Sequence, residues 1–330
     1  MAGVPIPGYP QLRMGLPARR KLRRLWSGDR PDLVHVATEG PLGITAIRAA
    51  QSLGIPVTSS FHTNFHAYTS HYGISLFRRA ALAWLRHVHN LTHRTFVPTA
   101  DLCAELSDLG FTRLSVLSRG VDTRQFRPDL RSPALRAEWR AAPGDPVVIH
   151  VGRMAAEKNY PLLFRVYAAM RRANPACRFV LAGEGPQKRA LMRDHPECIF
   201  AGFFSREEIG RYYASADIYI HASLTETFGN VLTEAMASGL AAAAFDYAAA
   251  RIFIRDGENG LTAPCGSPDS LVAAGQRLAT DASLRNRLRA AARAAVEAQS
   301  WEKVIARFEG DLESAAGVER LPAGPQPALA

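Results

Sequence analysis

Short apolar runs alternate with helix-length amphipathic segments along most of the 330-residue chain. This alternation constrains the fold more than any other feature. Strand and helix in repetition mean βαβ units, and βαβ units build a parallel sheet with helices on both faces. In the first half, Leu33–Ala37, Pro56–Phe61, Thr95–Val97 and Leu114–Leu117 read as strands. Helices are predicted over 41–53, 76–91 and 100–109, with Gly54 and Gly110 as C-terminal caps. Arg119–Pro146 holds Gly120, Pro128, Pro133, Pro143 and Gly144 and reads as a junction. The alternation then restarts. Strands are predicted at Val147–Val151, Phe179–Leu181, Ile199–Ala201, Ile218–Ile220 and Ala241–Phe245. Helices fall at 159–173, 186–194, 205–215, 229–238, 268–280 and 282–298, and Trp301–Ala315 is a last amphipathic helix. Two similar α/β domains are expected, residues 1–135 and 136–300, facing each other.

The first 30 residues are rich in Pro and Arg and offer no strand. An α/β domain usually opens with a strand whose first turn carries phosphate-binding glycines. That strand and its loop are therefore expected to be missing from the first domain.

Composition narrows the function classes. The apolar stretch Leu240–Ile254 is broken by Asp246 and Arg251, so no window spans a membrane. The basic cluster Arg19, Arg20, Lys21, Arg23 and Arg24 precedes no apolar core and does not read as a secretory leader. Four scattered cysteines without a CxxC pair read as thiols in a reducing compartment, which points to the cytoplasm. Forty basic against 30 acidic residues leave a net charge of +10, a surface that attracts anions. The basic run at 19–24 suits an anionic membrane surface on the inner face of the cell membrane, or simply a solvated helix face. No nucleic-acid-binding signature accompanies the charge, so nucleic acid is not expected as a partner.

Ligands of doubly wound sheets bind at the carboxyl ends of strands. After Val147–Val151 come Gly152-Arg153 and then Lys158 beside a helix start. An Arg fork and a Lys point charge near free helix N–H groups make an anion cradle that fits a diphosphate; the alternative is two surface cations. The turn Gly183-Glu184-Gly185-Pro186 has Lys188 where a dinucleotide fingerprint needs glycine, so NAD is disfavoured; a turn that lets a base or ribose approach the backbone is the other ligand reading, and a plain turn is preferred. The richest stretch, His221 to Gly239, places Glu226 in a turn and Glu234 about one and a half turns into a helix that starts near Gly229. Phe228-Gly229-Asn230 lies between them, and Gly229 lets the backbone come close to a ligand. Carboxylates repel phosphate and suit vicinal hydroxyls, so Glu226 and Glu234 are expected on a sugar and a ribose. The alternative is a helix-start carboxylate and a surface one. In the first half, His62 ends a strand, where it can bind a sugar hydroxyl or exchange a proton, or be a hydrogen-bonded, partly buried histidine. His62, His66 and His71 have no carboxylate or cysteine at ligand spacing, and no Asp-x-Asp occurs; no metal cofactor is expected, and Arg153 and Lys158 would supply the positive charge.

Taken together, Glu226-x7-Glu234, Gly152-Arg153 to Lys158, the GEGP turn, Asp256 to Gly260 and Arg119 to Asp122 resemble the family 4 glycosyltransferases over about residues 5–315. The runs Thr38–Gly43 and Phe61–His66 resemble the branch of GDP-mannose-dependent α-mannosyltransferases. The resemblance implies a GT-B fold of two facing Rossmann-like domains, with a crossover helix at 301–316 returning to the first domain and a disordered tail at 317–330. It implies a retaining, metal-independent transfer of a hexose, mannose from GDP-mannose, to a lipid or glycan hydroxyl. By the same resemblance Arg153 and Lys158 hold the donor diphosphate. Glu226 and the backbone of Phe228, Gly229 and Asn230 meet the donor sugar and its phosphate, Glu234 binds the ribose, and His62 faces the sugar from the acceptor side. The family's opening strand and glycine loop have no counterpart here, so the N-terminus is expected to be truncated. An inactive nucleotide-sugar-binding fragment and a sugar-nucleotide epimerase are the other readings. Two further departures are Ala241, where relatives usually have Pro, and the apolar Ile252-Phe253.

Overall fold

A computed structural model describes residues 2–6, 9–62 and 75–317. The chain divides into two compact units. Of the described residues, one unit holds those up to 62, 75–118 and 303–317; the other holds 119–302. The division falls earlier than the expected boundary at 135–136, and buried charge explains why. Arg131 and Arg136 ion-pair with Asp217 at 2.7 and 2.9 Å, and Phe126, Leu135 and Trp139 join a core with Tyr213 and Met236. Residues 119–135 are thus fastened to the second unit.

The first unit contains a parallel sheet in the order β3-β4-β5-β6, with β3 Val34–Val36, β4 Val57–Ser60, β5 Arg94–Val97 and β6 Leu114–Val116. Helices Pro41–Gln51, Ser75–Asn90 and Ala100–Asp108 alternate with the strands. Thr99 caps the last of these by accepting the Leu102 N–H at 3.2 Å, which satisfies one of the donors a helix start leaves open. β3 is the first strand of this sheet among the described residues and lies at its edge. The first 30 residues are more regular than expected. They form an antiparallel ribbon, β1 Gly3–Ile6 with β2 Tyr9–Gly15, and a basic helix Arg19–Gly28. Pro5 and Pro10 obscure the strands in the sequence, yet a two-stranded ribbon tolerates proline because each strand has an unpaired edge. The helix Trp301–Ala316 packs on the same unit: Phe308 meets His35 and Phe96 edge-on at 5.1 Å, and Arg94 pairs with Asp311 at 2.7 Å.

The second unit has a six-stranded parallel sheet in the order β12-β11-β10-β7-β8-β9. Its strands are β7 Val147–Val151, β8 Arg178–Ala182, β9 Ile199–Gly202, β10 Ile218–His221, β11 Ala241–Phe245 and β12 Leu261–Ala263. The chain builds outward from β7 to β9, then crosses back and builds the other way from β10. The switch point therefore lies between neighbours β7 and β10, where a crevice opens at the strand ends. Apolar clusters cover both sheet faces, one around Tyr160, Phe179 and Leu271, the other around Ile149, Tyr219 and Met236. Ala241 is fully buried in β11, and its N–H donates to the Asp217 carbonyl at 3.0 Å, a bond that proline could not make. In this unit the helices Pro133–Glu138 and Ala248–Phe253, strand β12 and the 3-10 turns Pro128–Leu130 and Ala156–Lys158 lay outside the expectation. No helix among the described residues is long and apolar enough to cross a membrane.

Candidate functional site

The site is built on loops that follow β7, β8 and β10. The contact between the β7 and β8 loops is made of backbone. Gly183 has φ +142°, and a Cβ there would lie 2.0 Å from the Gly152 carbonyl; one on Gly185 would lie 2.4 Å from the Met154 carbonyl. Only glycine permits so close an approach. The Met154 N–H then donates to the Glu184 carbonyl at 2.8 Å and that of Gly152 to Ala182 at 3.0 Å. The GEGP turn is therefore a backbone splice that fixes the Gly152-Arg153 loop.

Next come the short 3-10 helix Ala156–Lys158 and Asn159, whose left-handed backbone (φ +55°) starts the helix Tyr160–Ala173. The Ser223 and Thr225 hydroxyls donate to the Glu157 carbonyl at 3.0 and 3.1 Å, and the Asn159 amide to the Ala222 carbonyl at 3.2 Å. These bonds hold Lys158 against the β10 loop, where its Nζ meets Glu226 Oε1 at 2.5 Å with both side chains mostly buried. The Glu226 N–H donates to the Tyr247 hydroxyl at 2.8 Å. Burial works against the Glu226 charge, but His221, Lys158 and hydrogen bonds from Lys158 and Ser223 outweigh it and hold the carboxyl below its ordinary range.

Two buried histidines lie beneath this pair. His221, the last residue of β10, has Nε2 3.9 Å from Glu226 Oε1 and Nδ1 3.2 Å from the Tyr219 hydroxyl. His150 on β7 stacks on Tyr219 and donates from Nδ1 to the Ile220 carbonyl at 3.3 Å. Burial drives both below the usual histidine value, His221 to about 4 and His150 to about 3, so both are neutral at pH 7.

Phe228 is buried against Phe253, and Gly229 (φ +96°) starts the helix Asn230–Ala237. Asn230 is exposed at that start. Glu234 is half-buried and accepts the Tyr213 hydroxyl at 3.2 Å. It borders a cavity of about 450 Å³ together with Arg153, Glu184, Phe203 and Phe204. The second unit thus gathers Arg153, Lys158, Glu226, Phe228, Gly229, Asn230 and Glu234 around one switch point, with Lys158 and Glu226 in direct contact and Arg153 and Glu234 on one cavity wall. His62 belongs to the first unit, exposed after β4. His66 and His71 lie outside the described residues. His150, His221 and Tyr247 join the site without having been expected there. Their polar atoms on otherwise apolar strand and turn positions are the signal that could have flagged them.

Residues 132–295 match the family model for glycosyl transferases group 1, and residues 1–125 match that for glycosyltransferase family 4. A GDP-mannose-dependent alpha-mannosyltransferase of Mycobacterium tuberculosis is 35% identical over 94% of this chain and 80% of its own. The protein of that name in Corynebacterium glutamicum is 31% identical over 92% and 72%. Among solved structures, Anabaena HepE in complex with UDP-glucose superposes with a TM-score of 0.73 at 19% identity, covering 90% of this chain and 82% of that one. The chain belongs to the family 4 glycosyltransferases and is built from the two Rossmann-like α/β units of their GT-B fold.

Proposed function

We propose that this glycosyltransferase moves mannose from GDP-mannose to a lipid or glycan hydroxyl, with retention at the anomeric carbon and without a metal ion. The observation that carries the reading is the Lys158–Glu226 pair at the switch point, beside the cavity that Arg153 and Glu234 border. The names of the mycobacterial and corynebacterial relatives support the choice of donor.

In this reading the donor diphosphate lies against Arg153, Lys158 and the helix start at Gly229. Lys158 carries three N–H donors, so one can stay on Glu226 while another meets a phosphate oxygen. Glu226 receives hydroxyls of the mannose, Glu234 receives the ribose, and Phe228, Gly229 and Asn230 line the sugar and its phosphate. The first unit supplies the acceptor side, with His62 as its candidate residue. Negative charge grows on the departing phosphate as the glycosidic bond breaks. Cations already fixed there stabilise it without reorganising, which lowers the barrier. The acceptor oxygen attacks the face that the diphosphate leaves, and a phosphate oxygen takes its proton. The basic face of helix Arg19–Gly28 suits an anionic bilayer surface, with the enzyme peripheral on the cytoplasmic side.

Incubation with labelled GDP-mannose, GDP-glucose, UDP-glucose and UDP-glucose analogues, a membrane extract and EDTA tests the reading. Label entering the lipid fraction from GDP-mannose alone, at a rate that EDTA leaves unchanged, is expected. Transfer from a uridine donor only, or transfer abolished by EDTA and restored by a divalent ion, would overturn the donor or the metal-free chemistry respectively.

A further inference from the structure

We infer that His221 is a second recognition residue for the donor sugar, sharing one hexose hydroxyl with the Glu226 carboxylate. The inference rests on the proposed place of the hexose at Glu226. The tautomer of His221 follows from its two neighbours. On one side lies the hydroxyl of Tyr219, fully buried, 3.2 Å from Nδ1. On the other lies the Glu226 carboxylate, 3.9 Å from Nε2. A bare Nε2 would turn a lone pair toward an anion. The stable arrangement has the Tyr219 O–H donating to Nδ1 and the proton on Nε2, facing Glu226.

At 3.9 Å that N–H is too far from the carboxylate for a direct hydrogen bond. A hydroxyl group fits the gap because it does what neither neighbour can do for the other. Its oxygen accepts from Nε2–H while its proton goes to Glu226. The backbone leaves room for it: a Cβ placed on Gly229 would stand 3.7 Å from both His221 Nε2 and Glu226 Cγ, and this position has none. Lys158 holds Oε1 from another side, so the carboxylate keeps acceptor sites for the sugar. The stack of His150 on Tyr219 and of Tyr219 on His221 fixes the ring planes, so the N–H direction is preorganised.

The test compares GDP-mannose with GDP, which lacks the hexose, by titration calorimetry on the whole chain. His221→Phe keeps the aromatic ring, and the pair Tyr219→Phe/His221→Phe also removes the hydroxyl that the single change would strand. Both are expected to weaken GDP-mannose about tenfold, the loss of one hydrogen bond, and to leave GDP unchanged. His221→Gln, which keeps an N–H donor, recovers part of the loss. If GDP and GDP-mannose weaken together, or neither weakens, the inference is overturned. Glu226→Ala separates the two failures. If it abolishes the preference for GDP-mannose over GDP while His221→Phe retains it, only the role of His221 falls. If Glu226→Ala retains the preference, the placement of the sugar falls and the inference falls with it.

Discussion

The two units carry the same kind of sheet but treat polar groups at their strands in opposite ways. In the second unit the groups at the β7 and β10 ends carry charge: Lys158 on Glu226, with two neutral histidines behind them. In the first, β4 is as polar, yet its groups are neutral and bonded to one another. His35 is held between Thr58 at 2.9 Å and Ser60 at 3.1 Å, and Ser59 bonds His89, Thr92 and Thr95 at 2.9–3.1 Å. A closed network of neutral groups stiffens a core; partly buried charges that can take further hydrogen bonds have capacity left for a ligand. The difference is why donor chemistry is proposed for the second unit, and each prediction below tests one side of it.

Glu226→Ala carries the largest expected effect. Transfer should fall by at least about 10³-fold, as for removal of a group that acts on the transition state, while GDP binds within a few-fold of the parent. Steady-state rates and a GDP titration decide it. A variant that transfers at the parental rate would return Glu226 to a helix-start role.

Asp217 has the largest expected effect on stability. Three arginines converge on it: Arg131, Arg136 and Arg289 lie at 2.7, 2.9 and 3.1 Å, and the Val147 N–H donates to it at 3.0 Å. Burial opposes its charge, but the arginines outweigh burial and hold its pKa below the ordinary value. Asp217→Ala leaves buried guanidinium charge unpaired and should cost about 3–5 kcal/mol in urea unfolding. No comparable ion cluster was expected from the sequence, because each arginine lies more than 70 residues from Asp217 and each alone looks like a surface charge.

That gap marks what the sequence could and could not convey. The strands from β3 to β11 and the long helices were legible because apolar period and capping glycines are local signals. So were Lys158 and Glu226, since strand ends and helix starts locate them. The ribbon at residues 3–15 was not, because two prolines mask a pairing that only an edge allows. Nor were His150 and His221. A histidine inside an apolar run reads as a core residue, and only the strand order places β10 next to β7. Glu226 could be placed in a turn from the chain, but not its distance from His221.

Acid should expose the same contrast. Both buried histidines of the second unit have folded pKa values, about 3 and about 4, below the ordinary 6.5. Above pH 6.5 they are neutral in folded and unfolded chains alike and contribute no pH dependence. Below it the unfolded chain binds protons that the folded one refuses, so stability falls with pH down to the folded values. Glu226, with its depressed pKa, loses stability in the same direction as acid protonates it. Around pH 5, two histidines give a slope of up to about 2.7 kcal/mol per pH unit. Urea midpoints between pH 7 and 4.5 measure it, and the pair His150→Phe/His221→Phe should flatten the curve. An unchanged slope would mean that the histidines charge without unfolding.

The smallest expected effect belongs to the first unit and sharpens the comparison most. Ser59→Ala removes the hydroxyl that His89 Nδ1, Thr92 and Thr95 share in a buried site. The two threonines keep a bond to each other at 3.2 Å, and Thr92 still reaches the His89 carbonyl at 2.7 Å, so most of the network closes up. What is lost is the partner of the His89 ring, already without one at Nε2. One buried nitrogen left unsatisfied costs about 1–3 kcal/mol, so the urea midpoint should drop while affinity for GDP stays at the parental value. A variant with parental stability but altered GDP affinity would show that the polar strand of the first unit serves the donor after all, and the division of labour between the units would have to be redrawn.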